Sequence, residues 1–257
     1  MEQSELATKQ RRLAEFLERH ALDGVLLQER ANFAWITCGG DNHVANNTPL
    51  GVAAILVTRD GTRVCLTDAI EAPRMRDDEL GDRGIDVVEF PWFDADAARK
   101  IVCQIIAGRR VAADIDRFEL GLATLPPGFV QLRWTLTESE IDRYRDTGAR
   151  ASRAIEDACG AVKPGMRGHD IAGLLDQHVH VNGLNPVVTL VGVDEQIERF
   201  RHPIPTNQLL RRCAMLVTCA ESHGLIANLT RLVHFGSVPP ELRRRHHAAC
   251  TIDAAIN

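Results

Sequence analysis

Leu6, Leu13, Phe16 and Leu17 recur at steps of three, four and seven residues with charged positions between them, which predicts an amphipathic helix that Asp23-Gly24 closes. The pattern then changes to short apolar and β-branched runs. Gly24–Gln28, Asn32–Thr37, Gly51–Thr58 and Arg63–Thr67 read as strands, the last two joined by the hairpin-like Arg59-Asp60-Gly61-Thr62. A helix over Ala69–Leu80, a strand over Ile85–Phe90, a helix over Asp94–Ala107 and a strand over Arg110–Ile115 continue an α/β rhythm with short connections. Periodicity then fails. Gly121, Pro126, Pro127 and Gly128 mark a linker, and the boundary is placed at about residue 135.

The second half opens on Thr137-Glu138-Ser139-Glu140, a capping box in which Thr137 accepts from the third helical amide and Glu140 reaches back. Ile141, Tyr144, Ala151, Ile155, Ala158 and Val162 hold one helical face until Pro164-Gly165. Gly148 interrupts that face, at a cost or for close backbone packing. A second helix covers about His169–Asn182. Val187–Val191, Ala214–Ala220 and Gly224–Phe235 read as strands, the middle one apolar enough to be buried on both faces. Pro239-Pro240-Glu241-Leu242 starts a last helix, with proline and an early acid suited to its N-terminus. Asn257 falls inside it.

A length of 257 residues suits two domains, 1–135 and 136–257, since single cores usually organise about 100–150 residues. A chain 45% hydrophobic and 25% charged has a globular balance, and its apolar runs fall well short of the ~18–20 residues that cross a bilayer. The polar, acidic start has neither a secretory nor a transit pattern, so a cytoplasmic protein without membrane contact is expected. Seven dispersed cysteines without a C-x-x-C pair suggest buried reduced thiols rather than disulfides or a zinc knuckle. A net charge of −5 gives no global attraction to nucleic acid, and Arg243-Arg244-Arg245 and Arg211-Arg212 read as solvated faces. His178 and His180 lie two apart on a helix, where their rings splay, and do not form a metal pair. Asp114 and Asp116 make a carboxylate pair at a strand end with no other group converging on them.

The strongest candidate for chemistry is Arg199-Phe200-Arg201-His202-Pro203-Ile204-Pro205-Thr206. Its prolines force a stiff, extended backbone around one histidine. An imidazole held this way suits a proton shuttle or substrate clamp. About 20 residues on comes His223-Gly224-Leu225-Ile226-Ala227-Asn228-Leu229-Thr230-Arg231. These segments, in this order after Thr-x-x-Glu-Ile and Lys163-Pro164-Gly165-Met166, resemble the aminopeptidase P, prolidase and creatinase family. The resemblance implies an α/β (α+β) chain: a creatinase-type N-terminal α/β domain followed by an incomplete pita-bread domain.

In metal-dependent members two divalent ions serve hydrolysis of a C–N bond, and the resemblance assigns His202 to the catalytic histidine, with Asn228 and Arg231 binding substrate. The aspartate that would bridge the metals falls on Asn228, and its upstream partner falls on Val217 or Thr218. A dinuclear site needs several carboxylates, so no metal and no cofactor is expected. Glu221 and His223 offer only a remote route to ligation. The expected activity is metal-free hydrolysis of an Xaa-Pro peptide or amidino bond, with a small peptide or small molecule as substrate and a homo-oligomeric assembly. The alternative is a non-catalytic binding module, because the family's second histidine and two glutamates would lie beyond Asn257 in a C-terminally truncated chain.

Overall fold

The computed structural model describes residues 2–81 and 83–256, which divide into two compact units, Met1–Arg145 with His223–Leu225 and Asp146–Ser222 with Ile226–Asn257. The first contains α1 (Glu2–Arg19), β1 (Gly24–Glu29), α2 (Arg30–Ile36), β2 (Leu50–Thr58), β3 (Arg63–Asp68), α3 (Ala72–Arg74), β4 (Asp86–Phe90), α4 (Ala95–Ile106), β5 (Val111–Ala113) and β6 (Ala123–Thr124). Its six strands lie in the order β4-β3-β2-β1-β5-β6. The β1–β2 and β2–β3 pairs are antiparallel, while β1–β5, β3–β4 and β5–β6 are parallel. The pleat sends Val25 and Leu27 into a core with Leu13, Phe16 and Leu17 of α1, and Leu26 into a second core with Val102 and Ile106 of α4. Burial on both faces explains why these strands read as continuous apolar runs.

Three expectations need correction here. Asn32–Thr37 belongs to a helix, α2, rather than a strand. Residues 32 to 36 are buried all round, so their run carries no alternation to separate the two states, and Thr37 Oγ1 closes the helix by donating to Phe33 O at 2.7 Å. Ala69–Leu80 is not one helix but α3 followed by a π-helical turn over Met75–Leu80. The Pro/Gly stretch is not a bare linker either. It leads into a 3-10 turn at Phe129–Arg133, where buried Phe129 meets Phe16 and Trp35 edge to face, with ring centroids 5.4 and 6.2 Å apart. Asp114 and Asp116 prove to be backbone caps. Asp114 accepts from the amides of Gln28, Glu29 and Ile115, and Asp116 from those of Leu120, Gly121 and Leu122.

The second unit is built from most of α5 (Glu138–Ala161), α6 (Gly168–Val181), β7 (Asn185–Val193), α7 (Glu195–Arg199), β8 (Cys213–Ser222), β9 (Leu225–His234) and α8 (Pro240–Ile256). Its sheet has the order β7-β8-β9, with β7 and β8 antiparallel. Ala151, Ala154, Ile155 and Ala158 of α5 and Ile171, Leu175 and Val179 of α6 cover one face, meeting Val191, Val193, Ala214, Leu216 and Ala220. Strand β8 therefore alternates between buried and half-buried positions instead of being buried on both faces as its composition suggested. Its other face is turned away from α5 and α6. Gly148 has open space around it, so close backbone approach is not the reason for a glycine there.

The cysteines also differ from expectation. Cys38 and Cys65 are buried, and burial pushes their thiols up to about 11 and about 12, but Cys103 and Cys250 are exposed. All seven are free. Among the described residues no helix is long and apolar enough to cross a membrane.

A buried cluster of charges fixes α1 to the first turns of α5. Lys9, fully buried, places Nζ 2.7 Å from Glu5 and 2.8 Å from Glu140, and donates to Trp35 O at 2.6 Å. Arg143 grips Glu5 with two parallel bonds of 2.7 and 2.8 Å. Glu140 also closes the expected capping box, accepting from Thr137 N at 2.8 Å while its own amide donates to Thr137 Oγ1 at 3.3 Å. Burial raises the Glu5 carboxyl, but hydrogen bonds from Arg143 and Lys9 outweigh it and bring it down to about 2. Because the folded state holds this proton less tightly than the unfolded chain, the stabilisation is complete above the ordinary value of 4.5 and is lost as pH falls toward 2. The urea midpoint should therefore drop across that window, and more steeply in the parent than in Glu5→Gln. Lys9→Met strips Glu140 of its buried cation and should lower unfolding free energy by about 3–5 kcal/mol in urea titrations at neutral pH.

Candidate functional site

The pleat of the second unit decides which candidates can meet. On β8, Ala214, Leu216, Thr218 and Ala220 face the helices, so Met215, Val217, Cys219 and Glu221 point to the open face. On β9, buried Ala227 and half-buried Leu229 mark the helix side, which puts Ile226, Asn228 and Thr230 on the open face. Thr218 thus lies in the helix-covered core, and Val217 shares a face with Asn228. Arg231 is an odd number of residues from Asn228 and lies on the other side, 3.7 Å from Glu156 of α5. Asn228 and Arg231 do not share a face.

His202 is exposed, within a bend that follows α7. The segment that carries it is anchored at three points. Gly192 of β7, between the inward-facing Val191 and Val193, leaves a notch for buried Pro203: a Cβ at Gly192 would stand 2.9 Å from Pro203 Cγ. Since Gly192 is on the open face, the notch seats the residue after His202 against that face. Thr206 is held next, its hydroxyl accepting from Gln196 Nε2 at 3.2 Å, while Gln196 Oε1 accepts from Val193 N at 3.1 Å. Finally, His169 N donates to Thr206 O and Gly168 N to Gln208 O, both at 3.1 Å, across a backbone approach so close that a Cβ on Gly168 would meet Thr206 O at 2.9 Å. Two prolines make the run stiff, and these contacts make its position definite.

Asp194 organises the strand ends nearby. It has a left-handed backbone, φ +50°, and its carboxylate accepts from the amides of Arg211, Arg212 and Cys213 at 2.8, 2.8 and 3.0 Å. Burial pushes this carboxyl up, and the three N–H donors more than offset that, keeping it below the usual range. The residue was not singled out in the sequence, where a lone Asp after a strand carries no signal. A cleft of about 1110 Å³ adjoins it, lined by Glu195, Arg211, His234 and Arg245 among others, and includes none of His202, Asn228 or Arg231. Its charges are largely matched within the chain, since Arg211 pairs with Glu195 and Arg245 with Glu241 at 2.6 Å, so the cleft is not the stronger candidate.

Among the described residues no three His, Cys, Asp or Glu side chains converge as a metal-holding group, and Glu221 and His223 are not part of one. The open face offers a neutral amide at Asn228, an aliphatic side chain at Val217, a thioether at Met215, a thiol at Cys219 and a carboxylate at Glu221. One carboxylate falls short of the several that a pair of hard divalent ions needs.

A helix-backed sheet with an anchored His-Pro-x-Pro-Thr run beside its open face is the first part of a pita-bread domain, and it follows a creatinase-type α/β domain. The comparisons agree. Residues 9–132 match the creatinase/prolidase N-terminal domain, and residues 142–256 match metallopeptidase family M24. The chain belongs to the aminopeptidase P, prolidase and creatinase family and has a prolidase-like and aminopeptidase P-like peptidase scaffold. Solved structures with the same fold include an Xaa-Pro dipeptidase from Bacillus anthracis, with a TM-score of 0.71, 16% identity and coverage of 93% of this chain and 68% of that one. An X-Pro aminopeptidase from Thermotoga maritima gives 0.70, 17%, 93% and 68%, and the prolidase from Pyrococcus horikoshii gives 0.68, 17%, 92% and 67%. No curated protein sequence matches.

The notch at Gly192 is open to test. Gly192→Ala brings a methyl group against Pro203 and should destabilise the fold by about 1–3 kcal/mol, with faster amide hydrogen exchange over residues 201–208 than in the parent. Unchanged exchange there would mean that the segment is positioned by other contacts.

Proposed function

We propose that the chain acts on a C–N bond, in an Xaa-Pro peptide or a small amidino compound, with His202 as the proton-transferring group and without a dinuclear metal centre. The observation that carries this reading is the seat of Pro203 in the Gly192 notch, which fixes the backbone directly after His202. In the reaction His202 takes a proton from the attacking water as the C–O bond forms and returns it to the nitrogen as the C–N bond breaks, a contribution of about 10²–10⁴-fold. Asn228, on the open face, is suited to bind a polar group of the substrate. Arg231 supports β9 from behind through Glu156.

A dinuclear centre does not fit these residues. Two divalent ions bring four positive charges, and neither Asn228 nor Val217 supplies an anion to offset their desolvation. Manganese is the informative probe because it favours oxygen donors. Purified protein dialysed against Mn2+ and then buffer should retain less than one equivalent; two retained equivalents would contradict the metal-free reading.

The absence of an anion at Asn228 and Val217 favours a second reading, a scaffold that binds a small peptide and does not cleave it. The two separate in one comparison. Parent and His202→Ala are assayed on Xaa-Pro dipeptides and small amidino substrates for turnover, and for binding by equilibrium dialysis. Hydrolysis reduced 100-fold or more in the variant supports the first reading, and equal rates refute the role of His202. Saturable binding without turnover in the parent supports the second.

A further inference from the structure

Arg63 and Arg83 line one cavity of about 540 Å³ in the first unit, together with Leu6 of α1, Thr37 and Cys38 after α2, and Leu80. Arg63 Nη2 donates to Arg83 O at 2.9 Å and to Gly84 O at 3.3 Å, and Arg83 Nη1 donates to Thr37 O at 2.8 Å and to Glu79 O at 3.0 Å. Each of these acceptors is a main-chain carbonyl. Among the described residues no carboxylate pairs with either guanidinium group, so both charges stay unneutralised.

Arg63 is desolvated as well. Its Nε and Nη1 are buried without a hydrogen-bond partner, and burial pushes the guanidinium below its ordinary value. A cation in that position, without a counter-ion, favours an anion close by. Arg83 has the means to hold one. Its Nη1 is pinned to two carbonyls, while Nε and Nη2 take no partner among the described residues and the side chain is only partly buried. Nε and Nη2 form the fork that meets both oxygens of a carboxylate or phosphate, and pinning the other nitrogen reduces the ordering that such a bond requires.

Two carboxylates also line the cavity, and neither occupies that fork. Glu79 accepts from Arg74 Nη1 at 3.2 Å and from Asp41 N at 2.7 Å, and Asp78 is exposed. The walls are irregular in backbone too: Asp78, Glu79 and Leu80 belong to the π-helical turn, and Cys38 has φ +60° without being glycine. Both features recur at functional sites.

We propose that this cavity binds a small organic anion, whose carboxylate or phosphate bridges Nε and Nη2 of Arg83 and whose apolar part lies against Leu6 and Leu80, with the buried charge of Arg63 adding attraction. The site is separate from His202 and does not rest on the hydrolytic reading. Its test does not use activity.

Inorganic phosphate, butyrate and butylammonium are the probes, titrated calorimetrically into the full chain at low ionic strength, where screening is weakest. The two anions should bind saturably at one site, and butylammonium, with the opposite charge, should not bind. Tighter binding of butyrate assigns the ligand to the carboxylic acids, and tighter binding of phosphate assigns it to the phosphate monoesters. Arg83→Lys keeps the charge but loses the fork and should weaken anion binding about tenfold. Arg83→Gln should weaken it further. Asp78→Asn removes a nearby negative charge and should tighten it about twofold to fivefold. Arg99→Gln, at an exposed position on α4, should leave it unchanged. The tighter anion should also slow amide hydrogen exchange over residues 37–40 and 78–81 in the parent and not in Arg83→Gln. Parental affinity in both Arg83 variants, or no saturable binding of either anion by the parent, would overturn the assignment. Unchanged far-ultraviolet circular dichroism confirms that each variant folds.

Discussion

The alternation of side chains along β8 and β9 is the constraint on which the chemistry of the second unit depends. A strand turns successive residues to opposite faces, and α5 and α6 occupy one of them. Every candidate is sorted by that parity. Val217 and Asn228 fall on the open side, and Thr218 and Arg231 fall behind it. A one-residue slip would exchange the two sets, placing a hydroxyl where an aliphatic group now stands. The register is protected against such a slip because Leu216 and Ala220 on one strand and Ala227 on the other are committed to the helix-facing core.

The run at 201–206 shows how a loop gains definition without secondary structure of its own. Proline limits the backbone before any tertiary contact forms. Gly192 then provides room, Gln196 provides a polar clamp, and the amides of Gly168 and His169 complete a short backbone pairing. Each contact comes from a different part of the second unit, so the position of His202 reflects the packing of β7, α7 and the start of α6 together.

Much of this was legible in the sequence because periodicity, capping and proline act locally. The helical stripe of α1, the capping box at Thr137 and Glu140, the hairpin between β2 and β3, and the stiffness around His202 all follow from neighbours a few residues apart. The failures share a different cause. Asn32–Thr37 is buried on all sides, which erases the alternation that separates helix from strand. Phe129 follows two prolines and a glycine, and its place in the core depends on Phe16 and Trp35, over ninety residues earlier. Lys9 read as one more charge on an amphipathic helix, since its partners are Glu140 and the carbonyl of Trp35. The opposite faces of Asn228 and Arg231 were implicit in their spacing of three, once the segment is accepted as a strand.

The charge cluster around Lys9 also constrains the order of events during synthesis. Arg143 and Glu5 are 138 residues apart in the chain. Until Arg143 and Glu140 have left the ribosome, α1 carries a lysine and a glutamate destined for burial with only each other and the Trp35 carbonyl as partners, and drying them is unfavourable. The first helix is made first and secured last. Vectorial synthesis can assemble the strands of the N-terminal sheet early, but the closing of α1 waits for the opening turns of α5.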